Sequence, residues 1–167
     1  MFLQTTFVCC SRSFHEPCAQ TTRAMPVKFS DLELAFDFVS SDPALGEHQA
    51  FVCRQTGHIY WQTESSDIAD LEDLPDDIED EEKYLPVPDK RELDLGKPLV
   101  LDFAREFLPD DFDEVRYMFG KRHAYRNFRA LLLRRKGALD RWYEFEAKAT
   151  KQALRDWCEQ NSIEIVD

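Results

Sequence analysis

Eleven acidic residues and no basic one lie between Glu64 and Glu82. Like charges at that density repel one another and resist compaction, so this stretch cannot supply a core of its own. It reads as a solvated loop with weak apolar anchors at Leu71, Leu74, Pro75 and Ile78. It also divides the chain, and any core must join residues on its N-terminal side to residues on its C-terminal side. With 167 residues, 43% of them hydrophobic and 13 of them Phe, the material suffices for one core and not for two independent ones. The expected organisation is a tail at 1–24 and a single α+β domain at 25–167 that carries the acidic loop at 64–82.

The same stretch accounts for most of the net charge of -12. A second, opposite excess lies further on: residues 121–136 hold seven Lys or Arg and no acid. The overall balance excludes a uniformly cationic nucleic-acid binder but leaves a local anion-binding face open. No run of about 18 apolar residues exists, so no membrane-spanning helix is expected.

Residues 1–24 have neither helical nor strand periodicity. The first base, Arg12, comes after the apolar residues, which is the wrong order for a secretory signal. Cys9, Cys10, His15 and Cys18 are types that ligate zinc, but paired C-x2-C spacing is missing. The expectation is a disordered tail, or an extension upstream of a start at Met25.

Ser30-Asp-Leu-Glu33 has the form of a capping box before a short helix running to Val39. Gln49–Arg54 and His58–Thr63 are β-rich runs around Gln55-Thr56-Gly57, a hairpin with Gly57 at the positive-φ position. Phe51 and Cys53, with Ile59 and Trp61, are expected on its covered face. Lys83-Tyr-Leu-Pro-Val-Pro88 suits an edge strand, because prolines cannot donate to a ladder on both sides. The remainder is helical: Leu99 to Leu108, with Pro98 in its first turn; Phe112 to Phe119, capped by Asp110 or Asp111; Arg122 to Lys136; and Ala138 to Gln160. Ile163, Ile165 and Val166 form an extended tail that rejoins the sheet. The fold class is therefore α+β, a small antiparallel sheet packed with four to five helices and a helical C-terminal half. In the last helix Leu139, Tyr143, Ala147, Thr150, Leu154 and Trp157 make one stripe, and Trp142, Phe145 and Ala149 a second. So wide an apolar arc calls for more than one covering neighbour. Truncating Trp157 is expected to cost about 3–5 kcal/mol.

No phosphate-binding glycine loop, dinucleotide fingerprint, H-E-x-x-H, C-x-x-C or G-x-S-x-G occurs, and nothing points to a cofactor or a metal. His48, His58 and His123 are expected at the surface or in turns. The distinctive feature is the basic helix. Arg122, Arg126, Arg129, Leu133 and Lys136 advance by four- and three-residue steps along one face, with Tyr125 at its edge. Cations in a first turn oppose the helix dipole by roughly 0.3–1 kcal/mol each, a cost that an anion or carboxylate would relieve. The ridge is either a face neutralised by the chain's own acids, a protein-docking surface, or a phosphate- or RNA-binding surface. The matching acidic candidates are Asp70, Glu72, Asp73, Asp76 and Asp77.

Several segments carry a family resemblance. They are Thr56-Gly57, Tyr84-Leu85-Pro86-Val87-Pro88, Ala124-Tyr125-Arg126-Asn127-Phe128-Arg129, Trp142-Tyr143-Glu144-Phe145, Ala153-Leu154-Arg155-Asp156-Trp157-Cys158 and Asn161-Ser162-Ile163. In this order they resemble the bacterial uncharacterised protein family UPF0158, from about Val27 to Val166. Ser162 stands where Gly is expected, which implies a less sharply left-handed helix stop. The resemblance implies a small cytosolic bacterial protein and supplies no catalytic residue. The functional expectation is a non-enzymatic protein-binding or regulatory module. The alternatives are an RNA- or phosphate-binding protein using residues 121–136, or an enzyme with an unrecognised acid–base site. Deleting residues 1–24 should leave the melting temperature within about 2 °C of the full chain in a calorimetric scan, since an unpacked tail contributes little to stability.

Overall fold

The computed structural model describes residues 25–41, 47–63 and 73–167. Asp70 and Glu72, and the cysteine-rich segment with Cys9, Cys10, His15 and Cys18, lie outside the described residues. The elements in order are β1 (Val27–Lys28), α1 (Phe29–Val39), β2 (His48–Cys53), β3 (Ile59–Thr63), β4 (Tyr84–Pro86), α2 (Lys97–Phe107), a 3-10 turn (Pro109–Asp111), α3 (Phe112–Met118), α4 (Ala124–Arg134), α5 (Ala138–Gln160) and β5 (Ile165–Val166). The fold is α+β, with a three-stranded antiparallel sheet in the order β3-β2-β4 and a separate parallel pair, β1 with β5.

The hairpin forms where the turn residues place it. Gly57 has φ +68°, and a Cβ there would meet the Met25 carbonyl oxygen at 2.7 Å. Glycine is thus required twice, for its backbone region and for a close approach. The register pairs Ala50 with Trp61 and Val52 with Ile59. Ala50, Val52 and Ile59 are buried and Trp61 packs against them. The covered face of β2 is therefore Ala50 and Val52, not Phe51 and Cys53. One residue of offset turns a strand over. Phe51 and Cys53 lie opposite Tyr60 and Tyr84 on the second face, where Cys53 is also buried. β4 is an edge strand, as its prolines require.

The capping box does not form. Lys28 is held extended by pairing with Val166, and α1 starts directly at Phe29. Ser30 thus falls inside the first turn, where its hydroxyl donates to Asp31 at 3.2 Å. Glu33 instead faces Lys151 of α5 at 3.7 Å. The C-terminal tail rejoins the fold through β1 rather than through the three-stranded sheet. Its path depends on the end of α5. Ser162 has φ +58° despite not being glycine. Its amide donates to the Glu159 carbonyl at 3.1 Å and the Ile163 amide to the Cys158 carbonyl at 2.9 Å. These are the two bonds of a Schellman stop, so the stop is fully left-handed without the glycine. Arg54 of the hairpin turn adds a third donor there, to the Asn161 carbonyl at 2.8 Å.

α5 buries two different sides along its length. Near its start Ala138 and Trp142 are buried, with Phe145 and Ala149 packed behind them, against α2 and α4. Near its end Leu154 and Cys158 are buried, and Arg155 sits over the Phe29 ring at 4.4 Å. A helical wheel puts these two patches on nearly opposite faces. In between, the predicted first stripe is uncovered: Tyr143 is 48% exposed and Ala147 is exposed. The predicted second stripe faces the core, and the first is covered only toward its ends, at Leu139, Leu154 and Trp157. The centre of the helical core is an aromatic cluster. Phe103 lies 5.2 Å from Trp142, 5.5 Å from Phe145 and 6.3 Å from Phe128, in edge-on or tilted contacts. Trp157 is only half-buried at its margin. Trp142→Ala should therefore cost about 3–5 kcal/mol in urea unfolding, and Trp157→Ala measurably less. Equal losses would show that the centre of the core is elsewhere.

Candidate interaction surface

α4 is shorter than the pattern indicates. It spans Ala124–Arg134, so Arg122 belongs to the turn before it and Lys136 to the turn after it. His123 enters the helix at φ +61° and gives no side-chain cap, and the first turn holds no acid. Phe128, Leu131 and Leu132 face inward. Arg122, Arg126, Arg129 and Lys136 are exposed on or beside the opposite face, and Leu133 among them is 66% exposed.

The cations of this region sort into two groups. Arg134 reaches Glu114 of α3 at 3.5 Å. Arg135 forms a two-pronged pair with Asp111, Nε to Oδ2 at 2.7 Å and Nη2 to Oδ1 at 2.5 Å. Asp111 is 7% exposed, the one buried charged residue among those described. The Arg135 hydrogen bonds hold its carboxyl below the usual carboxylate range, against the opposing effect of burial. The same bonds raise the guanidinium. This pair ties the turn between α4 and α5 to the start of α3, and it occupies the side chain expected to cap that helix. Arg122, Arg126, Arg129 and Lys136, by contrast, make no ion pair among the described residues.

Tyr125 is 55% exposed. Its ring meets Phe119 edge-on at 5.0 Å, and its hydroxyl end rests against Gly96. Burial of that end, helped by the Glu146 carboxylate, pushes the phenol up. Tyr125, Arg129, Leu139, Tyr143 and Glu146 line a hollow of about 220 Å³ between α4 and α5. The ridge is thus continuous with two exposed tyrosines, not one. Tyr143 escaped the sequence reading because its spacing placed it in a core stripe. A neighbouring hollow of about 280 Å³ opens between α1 and the uncovered middle of α5. Its charges answer one another: Lys90 lies 3.9 Å from Glu146 and Lys151 lies 3.7 Å from Glu33.

The described part of the acidic stretch behaves differently from a simple repulsive loop. Lys83 Nζ lies 2.6 Å from Asp77 and 3.3 Å from Asp80. The hydrogen bond from Lys83 holds the Asp77 carboxyl low, and the reciprocal bond raises the lysine. Asp73 and Asp76 are exposed. No ion pair joins this stretch to the ridge among the described residues.

The family model described as "Uncharacterised protein family (UPF0158)" matches residues 25–167. The chain belongs to this family. No curated protein and no solved structure matches it. In this UPF0158 chain several other chemically competent side chains have local partners or are buried. His48 shares a hydrogen bond with the Thr63 hydroxyl at 2.8 Å, and its ring lies tilted against Phe38 at 4.6 Å. Burial pushes the Cys158 thiol up to about 11. Burial also opposes ionisation of Cys53, but hydrogen bonds with the Thr56 hydroxyl and the Thr56 and Gln55 amides lower it on balance. Among the described residues, no group of three His, Cys, Asp or Glu is placed to hold a metal.

The Asp111 carboxyl titrates lower in the folded protein than in the unfolded chain, where it ionises near 4. Its contribution is therefore complete above that value and is lost as pH falls through the lower folded value. Asp111→Asn should lower the melting temperature at pH 7, and the gap from wild type should close progressively as pH falls below about 4. Circular-dichroism melts across that range test it; a constant gap would mean that charge is not the origin.

Proposed function

We propose that the protein is a cytoplasmic protein-binding module that docks an acidic partner on the outer face of α4. The observation that carries this reading is the split among the cations. Arg134 and Arg135 are matched by acids of α3 and the turn before it, while Arg122, Arg126, Arg129 and Lys136 stay exposed and unmatched among the described residues. Arg and Tyr are the side chains that most often anchor protein interfaces, and Tyr125, Arg129 and Tyr143 line one hollow. The free, buried thiols Cys53 and Cys158 suit a reducing compartment. No described helix is long and apolar enough to cross a membrane.

A protein partner is favoured over RNA by two residues. Leu133 sits exposed among the arginines, where an apolar side chain offers nothing to a phosphate. Glu146 places a carboxylate in the hollow where a base would stack.

Arg126→Glu with Arg129→Glu should weaken partner capture about tenfold or more in a quantitative affinity capture from the source cells. The same reversal at Arg141 and Lys148 should leave it unchanged. Undiminished capture with the first pair would remove the ridge as the docking face. Labelled single-stranded RNA at about 50 mM salt provides the other arm. Wild-type binding to RNA that the ridge reversal abolishes would replace the protein reading.

A further inference from the structure

We infer that the occupant of the α4 ridge is the acidic turn Asp73–Glu82 of a second copy of this chain. This rests on the ridge being a docking face and goes further in naming what docks there.

The acidic turn is presented as a shaped surface. The Ile78 amide donates to the Pro75 carbonyl at 3.1 Å, the Asp80 amide to Asp77 at 2.9 Å, and the Lys83 and Tyr84 amides to Asp80 at 2.9 and 2.8 Å. Leu74, Pro75 and Ile78 are half-buried anchors. Lys83 draws Asp77 and Asp80 together. That arrangement leaves Asp73, Asp76, Glu79, Glu81 and Glu82 exposed, with no ion pair among the described residues. The turn runs straight into β4, which is bonded to β2, and the Arg54 amide donates to the Lys83 carbonyl at 2.8 Å. Its place on the fold is therefore set by the sheet, and none of its carboxylates pairs with a ridge cation among the described residues.

One molecule thus carries two fixed surfaces of opposite sign that do not meet within it. The ridge offers Arg122, Arg126, Arg129 and Lys136; the turn offers five unmatched carboxylates. A second copy supplies the complement of each. If ridge meets turn in both directions across a two-fold axis, the contact is made twice and the assembly closes as a dimer. The net negative charge opposes approach, but at physiological salt charges more than about 8 Å apart are largely screened. The facing charges then decide the outcome.

The test is sedimentation equilibrium of the full chain at protein concentrations to about 100 μM, in low and high salt. A dimer is expected near 0.1 M salt, dissociating as salt rises, because exposed ion pairs are screened. Arg126→Glu with Arg129→Glu, and separately Glu79→Lys with Glu82→Lys, should each raise the dimer dissociation constant about tenfold or more. Unchanged circular-dichroism melts identify variants that still fold. An equal mixture of the two variants should dimerise again, because each reversed surface then meets a reversed complement. A chain that stays monomeric at low salt, or a dimer that survives both reversals, overturns the inference. A monomeric chain whose ridge still captures a different acidic protein sinks the second copy and leaves the protein-binding reading standing. A monomer whose capture is also indifferent to the ridge sinks both.

Discussion

The helical half depends on one contact set, the rings gathered around Phe103. α2 supplies Phe103 and Phe107, α4 supplies Phe128, and α5 supplies Trp142 and Phe145. Three helices are fixed against one another by edge-to-face packing, which holds angle as well as distance. That angle determines what α4 turns outward. With Phe128, Leu131 and Leu132 committed to the core, the opposite side of the helix must face solvent, and it carries Arg126, Arg129 and Leu133. The ridge is thus a by-product of where the aromatics sit. Its character comes from the residues that occupy the leftover positions.

Opposite charges are segregated at two levels. Locally, acids and bases that lie close are matched: Asp111 with Arg135, Glu114 with Arg134, and Asp77 and Asp80 with Lys83. Beyond that range, the excess of each sign sits on a separate part of the fold. Matched pairs at helix ends and turns fix geometry. Exposed and unmatched charges contribute little to stability and are free to act on something else.

Much of the architecture was legible from periodicity and from turn residues. Gly57, the prolines of β4 and the apolar spacing of α2 and α5 each have a local physical cause, and each placed its element. What could not be read locally was set by pairing across the chain. The face of β2 depends on its register with β3, and one residue of offset reversed Phe51 and Val52. The start of α1 depends on β5, which holds Lys28 extended from the far end of the sequence. Tyr143 has core spacing but lines the hollows that α5 leaves beside α1 and α4, so it stays half exposed. For the surface, the sequence marked the ridge residues by spacing. Which of the clustered bases had partners became visible only when α3 was brought beside α4.

The pairing of β1 with β5 has one more consequence. Val27 lies beside Ile165 and Lys28 beside Val166, so the first and last described strands run side by side in the same direction. Two residues of strand span only about 7 Å. The described backbone therefore brings Val27 and Val166 close together at this small parallel ladder. In a chain shortened to begin at Met25, a short peptide bridge from Asp167 would make a circle with little loop to close. A new opening could then be cut at the tip of an exposed connection elsewhere, giving the same fold a different first residue.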